Sequence, residues 1–308
     1  DISGAAPAFI KNVEVGDLPD NVAFTHDGAK VTVANEGEPS SDYTIDPEGS
    51  ISIINILDGV PADVATMISL TGFNDQQEAL EAQGAKFSNP TGQTIKGEVR
   101  SYTVAQDLEP EYVAGSEDNS TAFVSLQENN ALAIVDLSDN SVQVIGLGFK
   151  DWSQNKLDVS DKDEGVNLKS YDNLYGMYQP DTIASFNWQG ANFIVSANEG
   201  DGRQYIAFER DAAEDEGKNE CETDFPDGIY EWDDGEEICI AYTDESRVKD
   251  LEDFAPVTAE LDAYVSEQGG KDGLGRLLVT NALGKNADGE YEKLYAYGAR
   301  SFTIWDQN

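Results

Sequence analysis

The chain has 308 residues, 39% of them hydrophobic, and carries 60 acidic against 19 basic side chains for a net charge of −41. That charge excludes nucleic acid and anionic membrane surfaces as partners through repulsion, and no apolar run approaches the roughly 20 residues that span a bilayer, so no membrane insertion is expected. Most of the charge reads as solubility in salty water, and the few clustered carboxylates read as candidate ligands for divalent cations.

In chain order, the first predicted hairpin starts at Leu18-Pro19-Asp20, turns at Asp27-Gly28, returns over 31–34 and stops at Asn35-Glu36-Gly37. Asp-Gly readily takes the positive φ angles of a tight turn. A third strand is predicted over 51–56, followed by an insert at about 74–97 with a short helical pattern. A looser copy of the hairpin starts at Glu109-Pro110-Glu111, has a strand over 122–126, stops at Gln127-Glu128-Asn129 and continues as a strand over 132–137. After a polar insert at about 150–177, a third copy starts at Gln179-Pro180-Asp181, has a strand over 193–197 and stops at Asn198-Glu199-Gly200. A third insert covers about 209–269. In it Leu251, Phe254, Val257, Leu261, Tyr264 and Val265 fall near helical spacing, and Pro256 divides them into two pieces. Segments 276–281, 293–297 and 301–306 read as a fourth, partial set of strands.

The shared grammar is a proline and an acid, a short strand, a turn, a second strand, then Asn or Gln and Glu. Such repetition of short antiparallel strands predicts an all-β chain, a single β-propeller over 1–308 with long loop and helical inserts. The copies are spaced more widely than the roughly 40–50 residues of an ordinary blade, and a predicted strand stands at the end of the sequence. The propeller is therefore expected to be incomplete, the N-terminal part of a longer chain, completed by a C-terminal fragment or another chain. The start at Asp1-Ile2-Ser3 is compatible with a processed protein.

Cys221 and Cys239, the only cysteines, flank an acidic loop and are predicted to be bonded to each other, which implies an oxidising compartment. The single histidine, His26, stands beside the first turn and reads as an exposed turn residue. Asp161, Asp163 and Asn167 are spaced like oxygen ligands of a tight calcium loop, with Gly165 permitting the turn. No glutamate stands at the closing position, and a solvated acidic loop is the alternative. The strand-end acids Glu36, Glu38, Glu109, Glu111, Glu128, Asp181, Glu199 and Asp201 are expected to converge on one axis. Such a ring repels itself unless cations intervene. Either Arg203, Arg100 and Arg300 pair it and it is structural, or calcium fills it and the arginines grip an anionic substrate.

Several stretches resemble the choice-of-anchor I family: Asn35-Glu36-Gly37-Glu38, Asp107-Leu108-Glu109-Pro110-Glu111-Tyr112, Ser160-Asp161-Lys162-Asp163, Gln179-Pro180-Asp181-Thr182, Asn198-Glu199-Gly200-Asp201-Gly202-Arg203 and Arg300-Ser301-Phe302-Thr303-Ile304-Trp305-Asp306. The resemblance runs nearly end to end. It implies a secreted or surface-attached bacterial β-propeller, extracellular or periplasmic, with calcium-dependent phosphoesterase activity. It brings no established catalytic residues. On that expectation Glu36, Glu199, Asp201, Arg203 and Arg300 are the candidate catalytic groups, and Arg203 and Arg300 hold a phosphorylated small molecule. Calcium is the expected cofactor, on Asp161, Asp163, Asn167, Glu38, Glu111 and Asp181. The alternative is a non-catalytic, calcium-stabilised surface or matrix module for binding or assembly.

Overall fold

Three hairpins organise the molecule, and the first two close through an aspartate. Thr25 Oγ1 and Ala29 N both donate to Asp27 Oδ1, at 2.7 and 2.9 Å, and Gly28 sits at φ 69°. This turn joins Pro19–Phe24 to Lys30–Asn35, and Ser50–Leu57 and Thr66–Ser69 extend the pair into an antiparallel meander, blade 1. Asp118 Oδ1 does the same in blade 2, accepting from Ser116 Oγ at 2.6 Å and Ser120 N at 3.0 Å. Blade 2 consists of Val113–Gly115, Thr121–Leu126, Ala131–Asp136 and Val142–Gly146. Blade 3 consists of Pro180–Trp188, Ala191–Asn198 and, after a long excursion of the chain, Ser301–Asp306. The computed structural model describes residues 4, 6–40, 45–92, 94–95, 98–209, 231–233 and 238–306. With 39% strand against 13% helix among the described residues, the chain is a mostly β protein of the propeller type.

The blades follow one another about a common axis. Val113 N donates to Asn21 Oδ1 at 3.3 Å between the inner strands of blades 1 and 2. Ser125 Oγ donates to the Asp181 carbonyl at 3.4 Å between blades 2 and 3. Successive side chains of a strand point to opposite faces, so blade 2 feeds two cores. Val113, Val124 and Ala133 join Ile51 and Ile53 of blade 1, whereas Phe123 and Leu132 join Ile183 and Ile194 of blade 3.

The excursion between Asn198 and Ser301 carries most of two further sheets. One pairs Gln204–Glu209 and Glu231–Asp233 with Ile238–Thr243. The other orders Phe149–Asp151, Leu174–Met177, Leu294–Ala296, Leu278–Thr280 and Glu245–Arg247 side by side, with a parallel pairing of Leu174–Met177 on Leu294–Ala296. The predicted fourth set of strands is thus divided. Val279 and Leu294 bury with Trp152, Leu174 and Tyr291 in a separate core, while Ser301–Asp306 completes blade 3. The helical stretch is two pieces, a 3-10 segment at Val248–Asp253 and the helix Ala259–Glu267, whose cap Thr258 accepts from Leu261 N at 3.3 Å.

Cys239 is fully buried in Ile238–Thr243. Cys221, and with it the predicted bond, lies outside the described residues. Mass spectrometry after alkylation of the denatured, unreduced chain is expected to find neither thiol modified. Two modified thiols would contradict the pairing, which should contribute about 3 kcal/mol by closing its loop.

Candidate functional site

The repeated Asn-Glu phrase has a structural cause. Asn35, at the end of the second strand of blade 1, donates through Nδ2 to Ser52 Oγ at 2.9 Å and Ser50 Oγ at 3.2 Å of the third strand. Asn198 repeats this in blade 3, with Thr303 Oγ1 at 2.7 Å and Ser301 Oγ at 3.1 Å. Each amide pins the strand end, and the next residue, Glu36 or Glu199, leaves the sheet at the same place. Glu128 follows the corresponding strand in blade 2. The proline–acid pairs open the inner strands, so Asp20, Glu111 and Asp181 stand at the same end. Asp20 and Asp181 repel each other, and both Glu36 and Asp20 lie within electrostatic reach of Glu128. Asp20, Glu36, Glu38, Glu111 and Asp201 thus all lie within electrostatic reach of Glu128.

Crowding and burial hold several of these groups protonated. Burial pushes Glu36 up to about 8, with Glu38, Glu128 and Asp20 adding to the rise and Arg203 opposing it. Glu38 and Asp201 are raised by burial first and by Glu128 second. Glu111 is raised most strongly, by burial and then by Glu128, with which it shares a carboxyl–carboxyl hydrogen bond. That bond requires a proton between the two. The Gln127 amide also donates to Glu111 Oε1 at 3.0 Å.

Beneath this ring lies a sealed ion-pair layer. Thr103 and Gln106 form a capping box that starts the single turn Val104–Asp107. Gly49 packs so closely on it that a Cβ would stand 1.9 Å from the Leu108 carbonyl. The turn aims Asp107 inward and leads into Glu109. Arg203 NH1 donates to Asp107 Oδ1 and NH2 to Glu109 Oε2, both at 2.5 Å, and the guanidinium is only 3% exposed. Lys86 and Asp244 form a second buried pair at 2.6 Å. Asp244 Oδ1 also accepts from Arg203 N at 2.7 Å, which links the two pairs. Burying paired charges is tolerable only with such hydrogen bonds. In and around this layer Asp46 Oδ1, Asp107 Oδ2, Glu109 Oε1 and Glu128 Oε2 meet no donor among the described residues. Asp46 is raised by burial to about 6, against the pull of Arg203.

The remaining predicted residues stand elsewhere or are engaged. Asp161 is held bidentately by Arg276, Nε to Oδ1 at 2.7 Å and NH2 to Oδ2 at 3.0 Å, which lowers its carboxyl to about 2. Asn167 N donates to Asp158 Oδ2 at 3.1 Å, and its Nδ2 to the Asp163 carbonyl at 3.4 Å. Both of its contacts thus serve the loop itself. Arg203 is buried below the ring. Arg300 is exposed and precedes Ser301, at the same end of blade 3 as Glu199. Gly200 and Gly298 place these ends together, because a Cβ on either would lie 2.0 Å from backbone of the other segment. His26 is exposed, with Nε2 3.3 Å from the Gly115 carbonyl. Sequence reasoning missed Lys86 and Asp244. They lie 158 positions apart, and neither stands in a repeated phrase.

A model of the choice-of-anchor I domain matches residues 3–308. The mesenchyme-specific cell surface glycoprotein of Strongylocentrotus purpuratus is 36% identical over 140 residues, 44% of this chain and 18% of that protein. The alignment thus spans less than a fifth of the curated relative. Solved structures with partial likeness include hydrazine synthase of Kuenenia stuttgartiensis, at 13% identity and a TM-score of 0.26, covering 65% of this chain and 49% of that one. The allergen Mala s 1 of Malassezia sympodialis matches at 13% identity and a TM-score of 0.28, covering 58% and 57%. The periplasmic gluconolactonase of Pseudomonas aeruginosa matches at 15% identity and a TM-score of 0.21, covering 63% and 68%. TM-scores this low carry no argument about function.

Proposed function

The chain belongs to the choice-of-anchor I domain family, and on that premise we propose that it is a secreted or surface-attached propeller module whose axial carboxylates bind calcium. The observation that carries this reading is the convergence of repeat-equivalent acids from three blades on Glu128, with too few cations to neutralise them. The surface location is supported by the name of the sea-urchin relative. The donor set suits calcium, which takes six to eight oxygens. It is not a preformed cage: among the described residues, no three His, Cys, Asp or Glu side chains are placed to hold a metal ion. Burial and crowding raise Glu36, Glu38, Glu111 and Asp201, so cation uptake here means exchange of protons for metal. Because Arg203 is consumed by Asp107 and Glu109, it cannot grip a phosphate, and the geometry supports a binding or assembly module best.

A second reading, hydrolysis of a phosphorylated small molecule, is favoured by Glu36. A carboxyl that keeps its proton to about pH 8 is suited to protonate a leaving oxygen. Glu199, at the equivalent place in blade 3, would serve as base, and the exposed Arg300 would hold phosphate oxygens. Bound calcium would supply Lewis acidity toward a phosphoryl oxygen. The test is p-nitrophenyl phosphate turnover with calcium and after chelation. The module reading expects none above background. Calcium-dependent turnover that Glu199→Gln abolishes, with the melting temperature unchanged, would replace it with the second reading.

A further inference from the structure

Lys86 stands outside every repeat, yet the fold buries it completely. The Asn130 amide donates to the Gly84 carbonyl at 2.8 Å, and the Lys86 amide to the Asn129 carbonyl at 2.7 Å. These bonds fix the segment on blade 2. The Lys86 side chain meets Asp244, which links Ile238–Thr243 to Glu245–Arg247. Both side chains are 0% exposed, and Nζ lies 2.6 Å from Oδ2. The Tyr297 ring stands 5.2 Å from Nζ. Asp244 Oδ1 accepts from Arg203 N at 2.7 Å, and Oδ2 from Thr280 Oγ1 at 3.1 Å. An ammonium brings three donors, but Asp244 is the hydrogen-bond partner of Nζ among the described residues. Buried donors without acceptors are costly. Asp107 is equally buried, lies within electrostatic reach of both Lys86 and Asp244, and has no donor for its Oδ2 among the described residues. Burial raises the Asp107 carboxyl, against the pull of Arg203 and Lys86.

We propose that Lys86 and Asp244 condense to an intramolecular isopeptide bond. The step consumes nothing beyond the two side chains. Lys86 Nζ attacks Asp244 Cγ; the Cγ–Nζ bond forms and the Cγ–Oδ2 bond breaks. Of the three ammonium protons, one stays on the amide nitrogen and two leave with Oδ2 as water, so atoms and charges balance. Asp107 carries the proton, taking it from the nitrogen during attack and returning it to Oδ2 on departure. Arg203 N holds Oδ1, where charge develops in the tetrahedral intermediate, and Thr280 donates to the departing Oδ2. Burial holds the two groups in contact and excludes the water that would reverse the step. It also favours the product, because a neutral amide with one N–H is cheaper to bury than an ion pair with unmet donors. The bond joins the insert packed on blade 2 to the excursion that carries the two further sheets, across 158 positions. It locks the layer beneath the carboxylate ring by a link that neither salt nor pH loosens.

The test is intact-mass spectrometry of the reduced, denatured chain, followed by sequencing of its peptides. The expected mass is one water below that of the 308-residue sequence, with a branched peptide that joins Lys86 to Asp244. Lys86→Arg and, separately, Asp244→Ala should each show the full mass of their own sequence. Asp107→Asn leaves the pair in place and should also keep its full mass, with circular dichroism as the check that it folds. The branched peptide of the wild-type chain is decisive whether or not any variant folds. A wild-type chain at full mass, with Lys86 and Asp244 recovered in separate linear peptides, overturns the proposal. So does a loss of water that persists in Lys86→Arg, which would be a succinimide at an Asp-Gly pair such as Asp27-Gly28. A crosslink that forms undiminished in folded Asp107→Asn overturns the proton-carrying role of Asp107.

Discussion

Arg203→Ala is expected to destabilise the chain by about 3–5 kcal/mol, the cost of leaving buried charge without its partner. Asp107 and Glu109 are 0% and 2% exposed and have Arg203 as their ion-pair partner. Urea denaturation measures the loss as a fall in midpoint. Adding Asp107→Asn and Glu109→Gln to the arginine variant should restore much of it, because no uncompensated charge then remains. A loss below about 1 kcal/mol would show that water reaches the layer and that the guanidinium is not sealed. Arg203→Lys should rescue poorly, since one ammonium cannot reproduce the fork that reaches both carboxylates.

Without added cations, raising the pH from 5 to 8 is expected to lower the melting temperature. Glu36 in the folded chain keeps its proton to about 8, against an ordinary value of 4.5. Between those values the folded chain binds a proton that the unfolded chain has released, so stability falls as pH rises through the window. Glu38, Glu111 and Asp201 are shifted in the same direction and steepen the fall. Acid loss is the opposite case. Asp161, lowered to about 2 by Arg276, contributes stability that is present above its ordinary value and lost as pH falls toward 2. Glu36→Gln with Glu111→Gln should flatten the decline between pH 5 and 8 and raise the melting temperature at pH 8. Differential scanning calorimetry at constant ionic strength reads both, and an unchanged slope in the double variant would show that the ring is solvated.

What was legible in the sequence was periodic. The short strand pairs and the Asn-Glu phrase recur, so the blades and the approach of Glu36 and Asp201 to Glu128 could be read from spacing. The amide pins on Ser52 and Thr303 also leave a trace, since both third strands carry hydroxyl residues at matching places. Partners fixed by tertiary contact were not legible. The position of Arg203 after Asn198-Glu199-Gly200-Asp201 leaves carboxylate pairing and a substrate grip both open, and its partners Asp107 and Glu109 are delivered by the turn capped by Thr103, far away in sequence. Arg276 reaches Asp161 across 115 positions. Nothing in the local spacing of Asp161, Asp163 and Asn167 distinguishes an arginine clamp from a metal loop. The assignment of 278–280 and 294–296 to a separate sheet depends on Trp152 and Tyr291, whose core has no repeat pattern to announce it.

The central claim is that the axial carboxylates exchange protons for calcium. Calorimetric titration of the intact chain with calcium at pH 7, in two buffers of different ionisation enthalpy, counts the protons released per ion bound. The account predicts net release that Glu36→Gln with Glu111→Gln reduces and Asp161→Ala leaves unchanged, with a calcium-dependent rise in melting temperature that grows with ligand excess, about 2.7 kcal/mol at a hundredfold. Titration heats identical to dilution, together with a melting curve indifferent to calcium and chelator, would contradict it.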